Sequence, residues 1–390
     1  MRILVICDRD WAHPQGGGAG INLRKQVEYW IEWGHRVDIL TVSYPGAVQT
    51  ETSDRLRIKR LGSKYTVYFA VAAQLIQGAA RQADVVLEVV NGVPWMSKLV
   101  TRKPTVVMVH HVCQQQYEME FKGVARVFGK FLEAKVMPAA YRHLPFLTVS
   151  ETSKRELVQL GIPEAHIEVV HNGTDHAVEP PFDKYEAAIL EGNIDFKSEI
   201  PTLVYLGRLK RYKRVDLLLE LLSPLLRARS SLRLMVVGDG DDKCRLQSLV
   251  RQLGVERQVS FTGFVDNHTK LELLASAWIA VTASDIEGWG ISTMEAAAMG
   301  CPTVALGKSG LQESVISERT GFVCTSRTEF MERCVRLLDD MHLRRAMAQA
   351  AARRALSFTW GDAAKKTLDV LTRASAGRLH GSSESLGSSL

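Results

Sequence analysis

The stretch Ser284-Asp285-Ile286-Glu287-Gly288-Trp289-Gly290-Ile291-Ser292-Thr293-Met294-Glu295 carries the most informative local pattern in this chain. The apolar run at 278–282 before it predicts a buried strand, and residues 292–299, rich in Ala and Met, predict a helix that ends at Gly300. A strand, a glycine-rich loop and a helix in this order place ligands at the carboxyl ends of strands in α/β folds. Glu287 is then expected in the loop and Glu295 in the first helical turn. A ligand above the loop would meet both carboxylates, with its anionic part beside the helix N-terminus.

A simpler interpretation of the same stretch stays open. Ser292 and Glu295 match a capping box, in which the carboxylate of Glu295 only satisfies a backbone N–H group at the start of the helix. Glu287 is equally compatible with a solvated loop charge. The pattern of this stretch alone does not separate a ligand site from an ordinary helix start.

Apolar runs and helix-period segments alternate on both sides of this stretch, which predicts βαβ units and a parallel sheet. In the first half, strands are predicted at 3–7, 37–42, 84–90, 105–110, 146–150 and 167–171, and helices at 21–33, 67–82, 121–141 and 152–160. The alternation of predicted strands and helices stops at Pro180-Pro181 and resumes near residue 201.

The predicted organisation is two Rossmann-like α/β domains whose facing strand ends form a cleft. The first domain spans 1–180, a linker with one short helix spans 181–200, and the second domain spans 201–357. A last helix at 358–373 is expected to cross back to the first domain. The Gly/Ser-rich end at 374–390 is expected to be disordered.

Composition indicates a globular protein, with 46% hydrophobic and 24% charged residues in 390. The formal net charge of +6 suits anionic ligands or an anionic membrane surface but is too weak to predict nucleic-acid binding. Six scattered cysteines without a CxxC pair predict free thiols in a reducing compartment. The first apolar run is too short for a signal peptide, and no run of 18 apolar residues occurs. The sequence therefore predicts a cytoplasmic protein.

Two further segments have the composition of anion-binding loops. Gly16-Gly17-Gly18-Ala19-Gly20 follows the first predicted strand, and its glycines would let backbone N–H groups approach a phosphate or a sugar closely. It is not a GxGxxG motif, so dinucleotide binding is weakly supported, and a flexible loop is the alternative. The basic run 207–214 follows the strand that opens the second domain, where cations can neutralise a diphosphate. Some of these basic residues are equally compatible with a solvated charge run.

Six motifs of the second half occur in a characteristic order. They are Gly207-Arg208-x4-Lys213-x2-Asp216, Val237-Gly238-Asp239-Gly240, Phe261-Thr262-Gly263-Phe264-Val265, Glu287-x7-Glu295, Gly300-Cys301-Pro302-Thr303-Val304-Ala305 and Gly310-Leu311-x-Glu313. Together they resemble the nucleotide-binding half of glycosyltransferase family 4, the retaining GT-B enzymes. The first half agrees through Gly16-Gly17-Gly18, a His at the end of the 105–110 strand, Val149-Ser150 and Asn172-Gly173-x-Asp175. The resemblance covers about residues 1–372.

The resemblance implies roles for individual residues. Arg208 and Lys213 are expected to bind the donor diphosphate and to stabilise the departing nucleotide, and Glu295 to accept the ribose hydroxyls. Glu287, with the backbone of Gly288, Trp289, Gly290 and Ile291, is expected to contact hydroxyls of the donor sugar. The backbone near Val265 is expected to contact the base. His110 is expected to face the donor sugar, and Gly16, Gly17 and Gly18 to close on the phosphates or the acceptor.

The implied reaction moves a hexosyl group from a UDP- or GDP-sugar to an acceptor hydroxyl with retention, by a front-face mechanism. No cofactor and no metal are expected, since fixed cations and a helix dipole can meet the charge of the leaving nucleotide, and no DxD motif is placed as in metal-dependent transferases. The acceptor is left open between a small molecule, a glycan and a lipid. A catalytically inactive GT-B partner protein and an NAD-dependent dehydrogenase are the competing functions. The dehydrogenase function is disfavoured, because the chain lacks a GxGxxG motif and the acidic residue that would bind the ribose hydroxyls.

The His110-His111 pair and residues 121–135 can each be interpreted in two ways. In His110-His111 the two side chains should point to opposite faces of the strand, so one is expected to pack inside. The resemblance favours His110 for the site, although neither His needs to be catalytic. Residues 121–135 alternate apolar and basic residues at near-helical spacing, which predicts either a helix that docks on a membrane or an ordinary surface helix. Two glycines and Glu133 weaken the membrane interpretation.

Overall fold

The computed structural model describes residues 1–174, 183–307 and 310–377. Asp175, Pro180-Pro181 and the predicted tail from residue 378 onward lie outside the described residues, so the expectations placed on them stay predictions. The chain divides into two compact units. The first unit contains residues 1–114, 122–170 and 361–377, and the second contains residues 115–121 and 171–360.

The first unit is built on one eight-stranded sheet with helices on both faces. Its elements are β1 (Arg2–Ile6), α1 (Gly18–Glu32), β2 (Arg36–Val42), β3 (Thr50–Thr52), β4 (Leu56–Leu61), α2 (Val67–Ile76), β5 (Val85–Val89), a 3-10 turn (Ser97–Leu99), β6 (Thr105–Val109), α4 (Gly123–Phe131), a π-helical turn (Leu132–Val136), α5 (Met137–Tyr141), β7 (Phe146–Thr148), α6 (Glu151–Gln159), a 3-10 turn (Glu164–His166) and β8 (Ile167–Val169). The helix α3 (Gln114–Glu120) follows β6 in the chain, but from residue 115 onward it groups with the second unit. The strand order is β3-β4-β2-β1-β5-β6-β7-β8.

Burial explains why these segments form strands. β5 and β6 are buried along their whole length, as expected for inner strands of a parallel sheet covered on both faces. Side chains of α2, α5 and α6 pack into one apolar cluster with residues of these strands. The six strands predicted for this half are all present, with ends shifted by at most two residues.

The structure also differs from the prediction in this unit. β3 and β4 were not predicted, and β3 pairs antiparallel with β4 at the edge, so the sheet is mixed. All three residues of β3 are exposed, and three of the six residues of β4 are basic, so neither has an apolar pattern. The helix predicted at 67–82 ends at Ile76, and the chain turns at Gly78, which has φ +100°. The helix predicted at 121–141 is three consecutive pieces, α4, the π-helical turn and α5.

The second unit is a six-stranded sheet in which every pair is parallel. Its elements are α7 (Asp183–Leu190), β9 (Thr202–Leu206), a 3-10 turn (Arg211–Lys213), α8 (Val215–Ala228), β10 (Arg233–Val237), α9 (Lys243–Leu253), β11 (Val259–Gly263), α10 (Asn267–Ser276), β12 (Ile279–Thr282), α11 (Ile291–Ala298), β13 (Thr303–Leu306), α12 (Leu311–Ser314), β14 (Gly321–Cys324), α13 (Arg327–Asp339) and α14 (Met341–Leu356). The strand order is β11-β10-β9-β12-β13-β14.

The last helix, α15 (Trp360–Ser375), begins and ends two residues later than predicted. The expectation of disorder is therefore wrong for residues 374 and 375, which belong to this helix. From Gly361 onward it groups with the first unit. The indole N–H of Trp30 in α1 donates to the carbonyl oxygen of Ala364 over 2.9 Å. Arg373 forms an ion pair with Glu168 of β8. These two contacts attach the C-terminal helix to both α1 and the sheet edge of the first unit.

The order of the second sheet determines where a ligand site can form. The chain runs from β9 outward to β10 and β11, and then returns to place β12 on the other side of β9. The loops that follow β9 and β12 therefore leave the sheet in opposite directions and open a crevice between them. Such a reversal of strand order is where open α/β sheets bind ligands.

Candidate functional site

Two loops meet at the carboxyl end of β9 and β12 in the second unit. β9 and β12 are hydrogen-bonded neighbours. The backbone N–H of Asp285, after β12, donates to the carbonyl oxygen of Tyr212, after β9, over 2.9 Å. The guanidinium of Arg214 also reaches the carboxylate of Asp285, at 3.3 Å. The basic run and the glycine-rich stretch are thus held as one surface at the reversal point of the sheet.

Lys213 and Glu287 form the central ion pair of this surface. The ammonium group of Lys213 donates to a carboxylate oxygen of Glu287, and each side chain is only 14% exposed. A pair this shielded from water interacts more strongly than one at an open surface. The solvated-charge interpretation of Glu287 is therefore wrong, because its carboxylate is mostly buried and bound to a specific partner.

Arg208 is positioned by two tyrosines. The hydroxyl of Tyr205 in β9 donates to the carbonyl oxygen of Arg208 over 3.0 Å, and the guanidinium of Arg208 donates to the hydroxyl of Tyr212 over 2.8 Å. Neither tyrosine was predicted to contribute to the site, because Tyr205 in its apolar run looks like a core residue and Tyr212 lies among basic residues that were considered for their charge. They orient the Arg208 guanidinium beside the loop that carries Lys213.

Close backbone approach explains the glycines of the Val237-Gly238-Asp239-Gly240 motif. A Cβ atom on Gly238 would lie 2.0 Å from the carbonyl oxygen of Gly207, and one on Gly240 would lie 2.2 Å from the carbonyl oxygen of Leu209. Contacts that short do not occur between real atoms, so any side chain there would push the loop after β9 out of place. The motif therefore fixes the position of the backbone around Arg208.

Glu295 is not a helix cap. The N-cap of α11 is Gly290, in the left-handed region at φ +89°, and the described structure shows no side-chain hydrogen bond at this cap. Ser292 is the second helical residue and Glu295 the fifth, so both the capping box and the expectation of a first-turn position are wrong. The carboxylate instead accepts a hydrogen bond from the ammonium group of Lys270 in α10 over 2.5 Å. Lys270, 25 residues earlier in the chain, had no recognisable signal in the sequence.

Trp289 faces away from the surface. Its side chain is 2% exposed and stacks on His171 with ring centroids 4.3 Å apart. Phe358 packs edge-on against the same indole at 5.0 Å. A ligand on this surface would meet only the backbone of Trp289, together with that of Gly288, Gly290 and Ile291. The packing of Trp289 against His171 and Phe358 thus holds the loop in place.

The loop after β11 lies two strands from the central pair. Val265 is half-buried there, and its neighbour Phe264 is 86% exposed. The N–H of Gly238 donates to the carbonyl oxygen of Gly263 over 3.0 Å, which joins this loop to the one after β10. The residues predicted for diphosphate, sugar, ribose and base thus follow one edge of the second sheet.

In the first unit, the residues predicted to contribute to the site lie in the segments that follow β1 and β6. Gly17 is the N-cap of α1, and Gly18 begins the helix. The loop before them is fixed by Asp10, whose carboxylate is 2.6 Å from the guanidinium of Arg60, with both side chains at most 2% exposed. This buried ion pair was not predicted. Like the crevice of the second unit, the glycine loop follows a strand at which the order of the sheet reverses.

His110 directly follows β6 and is buried, with 6% of its surface exposed. Within the described part of the chain neither ring nitrogen has a hydrogen-bond partner. Burial, with a smaller contribution from His111, lowers the pKa of the His110 imidazole to about 3, so the ring is neutral at physiological pH. A neutral, unsatisfied imidazole at the end of a strand can accept or donate one hydrogen bond to a ligand.

Glu133 supports the loop that follows His110. It lies in the π-helical turn, is 1% exposed, and accepts hydrogen bonds from the N–H of Cys113 (2.7 Å) and the side-chain amide of Gln114 (2.8 Å). Burial raises the pKa of the Glu133 carboxyl to about 7. Sequence analysis named Glu133 only as a charge that weakens the membrane interpretation of residues 121–135, and neither its burial nor its partners were predicted.

Among the described residues, no group of three or more His, Cys, Asp or Glu side chains is arranged to hold a metal ion. In the same part of the chain, no helix has both the length and the apolar character needed to cross a membrane.

Comparison with known proteins assigns both halves of the chain to glycosyltransferases. The profile of the glycosyl transferases group 1 matches residues 190–354, and that of Glycosyltransferase Family 4 matches residues 16–178. An uncharacterized glycosyltransferase from Methanocaldococcus jannaschii is 26% identical over 95% of this chain and 97% of its own length. Sucrose-phosphate synthase from Thermosynechococcus elongatus superposes with a TM-score of 0.77 at 19% identity, over 96% of this chain and 99% of that one. Anabaena HepE, solved with UDP-glucose, gives a TM-score of 0.73 at 17% identity, over 95% and 99%.

Proposed function

The chain belongs to glycosyltransferase family 4, and from this premise we propose that it transfers a hexosyl group from a UDP- or GDP-sugar to an acceptor hydroxyl with retention of configuration. The observation that carries the proposal is the surface at the reversal point of the second sheet, where Arg208, Lys213 and Glu287 converge. Two cations and a carboxylate on adjoining loops suit a ligand with an anionic end and a hydroxyl-rich end.

Arg208 and Lys213 are assigned to the donor diphosphate. A nucleoside diphosphate leaves with growing negative charge, and fixed cations that meet this charge lower the barrier most where water is excluded. Lys213 is already ordered and shielded by its pairing with Glu287. A diphosphate would therefore find the ammonium group in place, without first having to order a flexible side chain.

Glu287 and Glu295 are assigned to hydroxyl groups. Glu287, with the backbone of residues 288–291, takes hydroxyls of the donor sugar, and Glu295 takes the ribose. Because each carboxylate has a lysine partner, its negative charge is compensated while at least one oxygen is left to accept a hydroxyl proton. The backbone near Val265 takes the base.

In the first unit, His110 is assigned to the donor sugar and Gly16–Gly18 to the phosphates or the acceptor. These roles come from the family resemblance. The neutral state of the His110 ring supports a hydrogen-bonding role in preference to a charged one. With no enzymic nucleophile assigned, retention would proceed on the front face of the donor, with the acceptor hydroxyl entering on the side that the nucleotide leaves.

The donor is the first property to test. Calorimetric titration of the full chain with UDP, GDP and ADP should show tight binding of one uridine or guanosine nucleotide. A product-release assay with UDP- and GDP-sugars should then release the same nucleotide. Binding without release under any acceptor would contradict the proposal in favour of an inactive GT-B partner protein. The dehydrogenase alternative is already wrong, because the chain is a glycosyltransferase.

We predict that transfer survives an excess of EDTA, because side-chain cations and the N-terminus of α11 take the place of a metal beside the diphosphate. The assay is the same nucleotide release, measured before and after chelation and after adding back magnesium or manganese. Loss of activity with EDTA and its recovery with either ion would contradict the metal-independent mechanism. A metal-dependent transferase assayed in the same buffer is the control for effective chelation.

A further inference from the structure

The first unit exposes many large apolar side chains in three segments. They are Tyr65, Phe69 and Ile76 at α2, Leu99 in the 3-10 turn, and Val124, Val127, Phe128 and Phe131 in α4, with exposed fractions between 53% and 84%. Single exposed apolar side chains are ordinary in folded proteins. A group of this size in neighbouring elements indicates a surface that is covered in use.

In α4 the exposed side chains form one continuous stripe. Val124, Val127, Phe128 and Phe131 are separated by three, four and seven positions, which places them on the same side of the helix. Gly129 is the one residue of α4 that is buried. The apolar side of α4 therefore points away from the protein core, which reverses the usual orientation of an amphipathic surface helix.

A second stripe belongs to the same layer of the fold. Phe69 and Ile76 lie on the outer side of α2, whose inner side packs Val67, Val71 and Leu75 into the core. α5, which continues the helical segment of α4, packs its buried residues into the same apolar cluster on the same sheet face. α2 and α5 therefore cover one face of one sheet, and α4 with its stripe leads into α5.

Positive charge predominates around the stripes. Residues 62–82, 96–104 and 121–132 contain eight Lys or Arg and no Asp or Glu, whereas the whole chain has 49 basic and 43 acidic residues. These segments thus account for the excess of positive charge. Of the acidic residues that flank these segments, Asp84 and Glu118 are exposed. Glu133 is buried and bound to Cys113 and Gln114. It therefore does not reduce the charge of the surface.

The end of α2 adds a recess to this surface. A cavity of about 340 Å³ is lined by cationic side chains and by apolar ones, including Arg81, Arg102 and Lys103 beside Leu75, Ile76 and Val100. Cations next to an apolar wall match a lipid, in which an anionic headgroup adjoins an acyl chain.

We propose that this surface, formed by α2, residues 96–104 and α4, docks the enzyme on an anionic lipid bilayer. An outward apolar stripe with basic neighbours is the pattern of helices that lie in the membrane interface. Basic side chains contribute by attraction to anionic headgroups, and their aliphatic parts extend along the acyl boundary. A second copy of the chain is disfavoured as the occupant, because two surfaces of the same positive sign repel each other.

The test is co-sedimentation of the full chain with vesicles, without donor or acceptor. Vesicles of phosphatidylcholine alone are compared with vesicles that also contain phosphatidylglycerol, at about 0.1 M and about 0.5 M salt. We expect binding to the anionic vesicles at low salt. The double variant Phe128→Ser/Phe131→Ser and the variant Phe69→Ser/Ile76→Ser should each bind about tenfold more weakly or worse. Arg126→Glu should weaken binding about tenfold and reduce its salt dependence.

Matched controls come from the second unit. Ile200→Ser/Met341→Ser removes two exposed apolar side chains, and Arg257→Glu makes the same charge change as Arg126→Glu. Both should bind vesicles like the parent protein. Circular dichroism verifies that all variants fold, as expected for exposed positions. The proposal is overturned if the parent stays unbound with anionic vesicles or if the α4 and α2 variants bind unchanged. It is also overturned if light scattering shows self-association that these variants abolish, which would make a second copy the occupant.

Discussion

At the carboxyl ends of both sheets the strand order reverses, but the ionisable groups of the two regions are stabilised differently. In the second unit, charges of opposite sign are paired at the surface, as in Lys213–Glu287 and Lys270–Glu295. In the segment after β6 of the first unit, burial favours the neutral form of two groups: it lowers the pKa of His110 to about 3 and raises the pKa of Glu133 to about 7. Before the glycine loop of the same unit, Asp10 and Arg60 form a buried ion pair. The segment after β6 therefore suits neutral hydroxyl-bearing ligands, and the edge of the second sheet suits a charged diphosphate.

The difference explains how one α/β design can serve two kinds of ligand. An ion pair at the edge of the second sheet holds each lysine in a fixed position and lets a phosphate take over as its partner. An uncompensated cation at the edge of the first sheet would have to be desolvated with no internal partner, which is costly. Loops on a constant scaffold thus determine the chemistry of each edge.

The largest expected effect tests the charged edge. Arg208→Ala and Lys213→Ala should each lower the rate of transfer by about 10²–10³-fold, because each removes a fixed charge that stabilises the leaving diphosphate. Turnover of the donor is measured at saturating acceptor. Arg211→Ala is the matched control, since this exposed residue belongs to the same basic run and its loss should change the rate little. Near-normal turnover in both site variants would remove the diphosphate assignment.

A smaller and more selective effect separates the two glutamates of the second unit. Glu287→Gln should chiefly lower kcat and spare the affinity for free nucleotide, because the sugar gains positive charge in the transition state. Glu295→Gln should chiefly weaken donor and nucleotide binding, because the ribose does not react. Nucleotide affinity is measured by calorimetry and kcat by product release. If Glu295→Gln binds nucleotide like the parent protein, the ribose assignment fails.

Lys270 gives this pair of variants a structural control. The lysine donates to Glu295 but lies outside the Glu287-x7-Glu295 segment. Lys270→Met should weaken nucleotide binding in the same direction as Glu295→Gln and leave the effect of Glu287→Gln unchanged. Additive losses from Lys270→Met and Glu295→Gln would show that the two side chains act separately.

Much of the architecture was accessible from the sequence because it depends on local patterns. The GT-B fold class and the family are confirmed. The inner strands were predicted because continuous burial produces continuous apolar runs. The glycines at 238 and 240 were recognisable because close backbone approach excludes every other residue. β3 was missed because an exposed edge strand does not need an apolar pattern. β4 was missed because three of its six residues are basic.

The parts that sequence missed depend on contacts between distant segments. Nothing in the sequence near Lys270 indicates that it binds a carboxylate 25 residues later. The Asp10–Arg60 pair joins residues 50 positions apart. Ser292 and Glu295 matched a capping box by spacing alone, yet the helix starts one residue earlier at Ile291, after a left-handed Gly290. Local spacing therefore located the site but not the partners of its charged groups.

The last expected effect concerns the segment after β6 and leaves catalysis aside: it is a pH dependence of stability. Burial raises the pKa of the Glu133 carboxyl from an ordinary 4.5 to about 7 in the folded protein. Between these values the folded state keeps a proton that the unfolded state has released, so the free energy of unfolding falls as pH rises from about 4.5 to 7. The total contribution is about 3 kcal/mol, and above pH 7 the loss is complete. Glu133→Gln has no charge to bury, so it should not show this loss.

Urea unfolding of both proteins at pH 5 and pH 8 tests this expectation. Other titrating groups act equally in both proteins and cancel in the difference between variant and parent. The variant should gain about 3 kcal/mol relative to the parent between the two pH values. Glu32→Gln, at an exposed carboxylate of α1, should give no such change. If the difference between Glu133→Gln and the parent is the same at both pH values, Glu133 is ionised in the fold throughout, and the loop after His110 accommodates charge. The contrast between a charged and a neutral edge would then fail at Glu133, and only His110 would be left to support it.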